Sequence, residues 1–322
     1  MEILISEELS NPALDRLAQR FGVTADGQLW REPERLQAAV AETRVLLVRN
    51  QTQVTAELLQ AAPNLLGIGR VGVGLDNIDV AAASSLGIVV VAPLNANAAS
   101  VAELTFGLLL ALARKIPQAE QSTRAGGWDR RTHTGIELES KTLSVCGLGR
   151  IGGRVARLAK AFGMRLLGYD PFVTADSAVV RETGAILCAR IEEAVATADF
   201  ISVHLPLTPE TSHLFGVKVF AACKAGAYFI NTARGGVVDE TALLLALQSG
   251  QLGGAALDVR EVEPPARGAL ESQPNVILTP HIGAFTREAQ QRTFDAVAED
   301  AERLLSGQPT QNFVNFDRPR RG

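Results

Sequence analysis

The sequence predicts an α/β chain built from two doubly wound parallel-sheet domains. Three observations carry that expectation. Short, wholly apolar runs alternate with helical patterns along nearly the whole chain, as parallel strands buried on both faces require. These elements fall into two series separated by a long apolar helix. The length of 322 residues suits two domains of about 150 residues each.

In the first series, residues 3–5, 45–48, 66–68 and 88–91 read as buried strands, with helices near 11–20, 33–42, 55–61 and 78–86 between them. Next comes SVAELTFGLLLALARKI, a helix over 98–118 with Ser100 as N-cap and Glu103 at the third position, a capping-box pattern. It is apolar nearly all round, which predicts burial on several sides. The second series has strands at 142–146, 165–169, 200–203, 228–230, 255–259 and 276–278. Its helices lie near 150–161, 191–197, 239–249 and 286–306. Residues 313–316 form an apolar, strand-like end, so the last helix is expected to return the chain to the first domain. The expected boundaries are 1–97, 98–286 and 287–322, with a ligand cleft between the domains. The Arg/Pro-rich tail at 317–322 is expected to fray.

Composition excludes several classes. Hydrophobic residues make up 47% and charged residues 20%, and 31 basic against 35 acidic side chains leave a net charge of −4. That is no phosphate-backbone binder overall, so no nucleic-acid partner is expected. MEILISEELS lacks the basic start of a secretory signal, and the longest apolar stretch is short of the roughly 20 residues that span a bilayer. Three scattered cysteines, Cys146, Cys188 and Cys223, suit neither a disulfide framework nor a metal cluster. A cytoplasmic location without membrane contact is the expectation, and no metal is expected.

The strand at 142–146 leads into Gly147-Leu148-Gly149-Arg150-Ile151-Gly152 and then a helix. This is G-x-G-x-x-G in its required strand–turn–helix setting, the Rossmann arrangement. Gly147 allows the tight turn, Gly149 lets a pyrophosphate approach the backbone, and Gly152 lets helix and strand pack closely. Asp170 ends the next strand, eighteen residues past Gly152. An acid there accepts ribose hydroxyls and repels a 2′-phosphate, so NAD is expected rather than NADP. The plainer readings are a glycine turn that binds nothing and a solvated strand-end acid.

Three later segments carry the polar groups that nicotinamide chemistry needs. Arg234 follows the strand at 228–230, where its planar fork suits a carboxylate. Glu263 lies in the loop after Asp258, before two prolines. His281 follows the strand at 276–278 and is the histidine placed to act as base near neutral pH. A carboxylate on its other ring nitrogen would fix its tautomer. A surface ion pair, a solvated acid and a loop histidine are the alternatives. His204 is expected to shape the cofactor cleft.

At these residues the chain resembles the D-2-hydroxyacid dehydrogenase family, and within it the D-3-phosphoglycerate dehydrogenase branch. GRVGVGLDNIDV, SVAELTFGLLLALARKIPQA, KTLSVCGLGRIGGRVA, GYDP, HLPLTPET, NTARGGVVDETALLLALQSGQLGGAALDV, EVEPP and TPHIGAFTREAQ carry the resemblance, from about residue 3 to 316. It implies a Rossmann NAD domain inserted in a flavodoxin-like substrate domain, and Arg234, Glu263 and His281 as the catalytic set. It implies cofactor contacts at Arg150, Ile151, Asp170, Leu205, Pro206, Thr232 and Ala233, at Asp258 for the carboxamide, and at Gly283 with Ala284. It places substrate-side loops at Arg49-Asn50 and Val73-Gly74, and implies a homodimer through the NAD domain and the helix at 98–118. The reaction implied is hydride transfer between C2 of a small anionic 2-hydroxy or 2-keto acid and NAD, with 3-phosphoglycerate foremost.

The chain departs from the branch near the expected substrate. Asn50 stands where Ser is usual, Val73 where Thr is frequent, and Phe285 where Ser is common; the PLNANAAS loop is also unusual. A sulfolactate, glycerate or glyoxylate enzyme on the same machinery therefore stays open. It would differ around Arg49, Asn50 and Asn97. An NADH-sensing binding protein is the reading from another class.

Overall fold

The computed structural model describes residues 1–320. The chain forms two compact units, one from Met1–Asn97 together with residue 284 onward, the other from Ala98–Gly283.

The first unit carries β1 (Ile3–Ile5), α1 (Pro12–Ala18), β2 (Val23–Ala25), α2 (Pro33–Ala41), β3 (Val45–Val48), α3 (Ala56–Gln60), β4 (Gly67–Arg70), α4 (Val80–Ser85) and β5 (Val89–Val91). Its sheet has the order β2-β1-β3-β4-β5, and every pairing is parallel. β1, β3 and β5 are buried at every residue, which is why they read as unbroken apolar runs. β2 was not expected. It is an edge strand with two of its three residues exposed, so no apolar run marks it.

The second unit carries α5 (Ala98–Ala113), α6 (Ile116–Arg124), β6 (Thr142–Cys146), α7 (Arg150–Ala161), β7 (Arg165–Tyr169), α8 (Ala178–Thr183), β8 (Ile186–Leu187), α9 (Ile191–Val195), β9 (Phe200–Val203), α10 (Val217–Ala222), β10 (Ala227–Asn231), α11 (Glu240–Gln248), β11 (Leu252–Leu257) and β12 (Val276–Leu278). The sheet order is β12-β11-β10-β9-β6-β7-β8, all parallel. Strand order reverses at β6. Open α/β sheets bind ligands beyond the strand ends at such a switch point.

The expected helix over 98–118 is two helices. α5 starts at Ala98, so Ser100 is a buried residue within it rather than its cap. It ends before Lys115, which adopts a left-handed φ of 52°. Pro117 forces the break, because a proline ring clashes with the carbonyl four residues earlier. That carbonyl, Ala113 O, instead accepts a hydrogen bond from Ile136 N–H at 2.9 Å.

The last helix, α12 (Arg287–Leu305), belongs to the first unit. The second boundary falls between residues 283 and 284 rather than at 286/287. Gly283 N–H is tied to Asp258 at 2.8 Å, whereas Ala284 O accepts from the Gln290 side chain of α12 at 2.8 Å. The chain then returns to β5: Val314 N–H donates to Val90 O, and Val90 N–H to Asn315 Oδ1. Buried Asp300 on α12 fixes this return by accepting from the backbone of Gln311 and Asn312. The tail does not fray as far as residue 320. Arg320 N–H donates to Gly87 O, and its guanidinium covers the Phe316 ring at 4.5 Å. Residues 321 and 322 lie outside the described residues.

Candidate active site

The glycine turn expected to hold the cofactor follows from β6 running directly into α7. Gly147 turns the chain at a left-handed φ of 93°, and a Cβ there would sit 2.6 Å from His204 O. Gly149 begins α7 with no side-chain cap, so the first-turn N–H groups of Arg150, Ile151 and Gly152 lack intrahelical acceptors. A Cβ on Gly149 would meet nothing within 4 Å, which leaves room for a group against the backbone. On Gly152 a Cβ would overlap the Gly147 carbonyl oxygen and stand 2.9 Å from its carbon. Asp170 lies past β7, with Oδ2 accepting from Leu148 N–H at 2.8 Å and Oδ1 from Phe172 N–H at 2.9 Å. Each oxygen keeps a second lone pair for a ribose hydroxyl. A capless helix start, an open glycine face and a fixed carboxylate fit a dinucleotide.

Leu205 is buried and Pro206 exposed just past β9. His204 pairs with Ser202 Oγ at 2.8 Å, and burial pushes its pKa down to about 3. It is therefore a neutral wall rather than a base. At the end of β10, Thr232 and Ala233 are buried. Thr232 Oγ1 meets Thr105 Oγ1 at 2.9 Å, and Asn231 Oδ1 accepts from Ala233 N–H at 2.9 Å. Asn231 also donates to Arg234 O at 3.0 Å, so one asparagine shapes the turn that presents Arg234.

His281 and Glu263, eighteen residues apart in sequence, meet through His281 Nδ1 and Glu263 Oε2 at 2.6 Å. Glu263 Oε1 accepts from Arg260 N–H at 2.9 Å. Partial desolvation opposes ionisation of Glu263. The hydrogen bonds from His281 and Arg260, with the charges of His281 and Arg234, outweigh it and hold the carboxyl below its usual range. His281 itself has a left-handed φ of 53°, a strained conformation for a non-glycine residue that needs support.

Asp258 gives that support. Its carboxylate, 1% exposed, accepts from Thr279 Oγ1 at 2.6 Å, Ile282 N–H at 2.9 Å and Gly283 N–H at 2.8 Å. Its backbone oxygen takes His281 N–H at 2.8 Å. Sequence reasoning gave Asp258 a cofactor contact and missed this anchoring of the histidine loop. It also missed Arg260, whose guanidinium bridges Glu240 and Glu271. Their separation along the chain leaves no local signature.

The residues expected on the substrate side, Arg49, Asn50, Val73, Gly74 and Asn97, belong to the first unit. Buried Glu7 accepts four backbone N–H groups, from Arg49 at 2.7 Å, Asn50 at 3.2 Å, Gln51 at 3.0 Å and Thr52 at 3.0 Å. The Arg49 guanidinium stands over the Phe285 ring at 4.8 Å and donates to Gln290 Oε1 at 3.0 Å. Arg70 shapes the neighbouring loop, donating to Val71 O and Gly74 O, and so presents Val73 and Gly74, both half-buried. Asn97 Oδ1 is buried with no hydrogen-bond partner among the described residues. Neither Glu7 nor Arg70 was expected from sequence.

The sequence profile of the D-isomer specific 2-hydroxyacid dehydrogenase NAD binding domain matches residues 106–283. Among solved structures, D-lactate dehydrogenase from Aquifex aeolicus, complexed with NAD and lactic acid, is 30% identical with a TM-score of 0.88, covering 98% of this chain and 99% of that one. The TT0316 protein from Thermus thermophilus is 34% identical with a TM-score of 0.88, covering 98% of this chain and all of that one. This chain belongs to the D-isomer specific 2-hydroxyacid dehydrogenase family. Within the family, it is 46% identical to D-3-phosphoglycerate dehydrogenase of Methanocaldococcus jannaschii over 98% of its length and 60% of the relative's. The corresponding rat enzyme is 44% identical, with 58% of its length covered. The chain thus spans about three-fifths of these curated relatives.

Proposed function

We propose that this chain oxidises a small D-2-hydroxy acid at C2 with NAD, and that its substrate is 3-phosphoglycerate, giving 3-phosphohydroxypyruvate. The observation that carries the reading is the 2.6 Å pairing of His281 Nδ1 with Glu263, beside Arg234. NAD, when bound, supplies the hydride acceptor. Glu263 keeps the Nδ1 proton of His281 in place, which leaves Nε2 to take the substrate hydroxyl proton. Arg234 holds the C1 carboxylate and opposes charge on the C2 oxygen. The backbone at Val73-Gly74 adds carboxylate donors, and Arg49 takes the distal phosphate. The relatives named as D-3-phosphoglycerate dehydrogenases support this substrate.

One observation favours a related acid without a distal anionic group, glycerate or glyoxylate, over 3-phosphoglycerate or sulfolactate. Arg49 already gives one donor to Gln290 and stacks on Phe285, so part of its fork is occupied. A homodimer through the NAD domain is part of the same proposal, supported by the exposure of Ile116 (51%) and Trp128 (77%). No helix among the described residues is long and apolar enough to cross a membrane; a cytoplasmic location fits three free cysteines.

The test is NADH formation on a panel of 3-phosphoglycerate, D-glycerate, sulfolactate and D-lactate, with wild type and Arg49→Ala. Loss of a charge-assisted contact is worth about 1.5–3 kcal/mol, so KM for 3-phosphoglycerate should rise by roughly 10–150-fold in the variant while D-glycerate barely changes. Preference for another acid would move the substrate, and no NADH on any would defeat the reading.

A further inference from the structure

The loop that carries Glu263 has little of its own to hold it. Residues 261–269 are all exposed, and Val262 is 68% exposed. Yet a catalytic carboxylate must stay aimed at His281 to within a fraction of an ångström. One largely buried side chain, that of Arg260, ties the loop to its surroundings. The Arg260 side chain is 10% exposed, and its Nε and Nη2 both donate to Glu240, at 2.9 Å each. Its Nη1 pairs with Glu271.

Glu240 is the first residue of α11, which Asp239 caps through Thr241 N–H and Ala242 N–H, so the anchor is a regular helix. Glu240 Oε1 also accepts from Glu261 N–H at 2.9 Å. The peptide of Arg260 then serves both catalytic neighbours. Its N–H donates to Glu263 Oε1. Its carbonyl group lies where a Cβ on Gly235 would fall, so the Arg234 turn abuts Arg260 directly.

We propose that Arg260 is a positioning residue for the reaction: clamped between Glu240 and Glu271, it sets the aim of Glu263 at His281 and the spacing of that loop from Arg234. The inference rests on the dehydrogenase reading of His281, Glu263 and Arg234. A guanidinium suits the task because its planar fork binds Glu240 bidentately and leaves another donor for Glu271. A lysine would keep the charge and lose the fork.

The test is a double-mutant cycle between Arg260→Met and Glu263→Gln, measured as kcat, KM and NADH affinity. Misplacement of a catalytic group by about 1 Å costs on the order of 10²-fold. Arg260→Met should therefore lower kcat by about 10²-fold, with KM and NADH affinity within roughly twofold. In the Glu263→Gln background the same change should cost less than about threefold, because residues acting through one group are not additive. Arg260→Lys, which keeps the charge without the fork, should recover only part of the loss. If Arg260→Met fails to fold, Glu271→Gln removes one leg of the clamp and must show the same non-additivity with Glu263→Gln.

Wild-type kcat in Arg260→Met, or an equal loss in both backgrounds, would overturn the proposal and leave Arg260 a stabilising ion pair. A wild-type enzyme with no turnover, or an unimpaired Glu263→Gln variant, would instead overturn the reading of the site.

Discussion

Two adjacent glycines on α7 should respond oppositely to alanine. Gly152 and Gly153 are both buried and helical. In a helix interior alanine is favoured over glycine by about 0.8–1 kcal/mol. At Gly153 a new Cβ would find Val179 Cγ2 at 3.4 Å and Leu148 O at 3.5 Å, both ordinary contacts. Gly153→Ala should therefore gain about 0.4–1 kcal/mol. At Gly152 the same atom would overlap the Gly147 carbonyl and crowd Val145 Cγ1 at 3.2 Å. Backbone must move, and overpacking of this kind costs about 1–3 kcal/mol or more, so the net change should be destabilising despite the helix gain. The moving part is the turn proposed to hold the cofactor phosphates, so NADH affinity should fall by at least about tenfold, equivalent to roughly 1.4 kcal/mol. Thermal unfolding and NADH fluorescence titration read both effects. Equal melting temperatures and equal NADH affinity in the two variants would refute the argument that close approach of α7 to the Gly147 turn builds the cofactor site.

Other expectations follow from the same geometry. Gly235→Ala should separate the Arg234 turn from Arg260 and lower kcat by on the order of 10²-fold, with NADH affinity unchanged in titration. Asp170→Asn removes the charge while keeping an acceptor for Leu148 N–H, so the ratio of kcat/KM for NADP to that for NAD should rise about tenfold or more. Acid stability should track the Arg260 cluster. Arg260 hydrogen bonding holds Glu271 down to about 2, and Glu240 also lies below its usual range because its bonds to Arg260 outweigh burial. Groups with depressed folded pKa values contribute their full stability above the unfolded value of about 4.3 and lose it as pH falls through the folded one. Melting temperature should therefore drop between about pH 4.5 and 2, and Glu271→Gln should flatten that drop.

Much of the fold was readable because central strands such as β3 and β6 are buried at every residue and appear as plain apolar runs. The unexpected strands, β2 and β8, are both sheet edges with exposed residues. Their pairing is set by the neighbouring strand, and their own composition does not show it. The long helix misled because apolar character runs across the break at Lys115, while Pro117 dictates a new start. The glycine turn and the candidate residues Arg234, Glu263 and His281 stood out since each sits at a strand end or in a loop after one, with chemistry suited to a ligand, and the fold brings Glu263 to His281. Glu7, Arg260 and the anchoring role of Asp258 did not. Their side chains work through partners more than ten residues away, which only the folded chain brings together.

In the proposed reaction, hydride passes between C2 of the acid and NAD, with His281 as base. Incubation with C2-deuterated 3-phosphoglycerate and NAD, followed by mass spectrometry of the nicotinamide product, tests it directly. Deuterium should appear in NADH with wild type, at a rate that falls by about 10² or more in His281→Ala. Unlabelled NADH, or label transferred equally fast by the variant, would contradict the account.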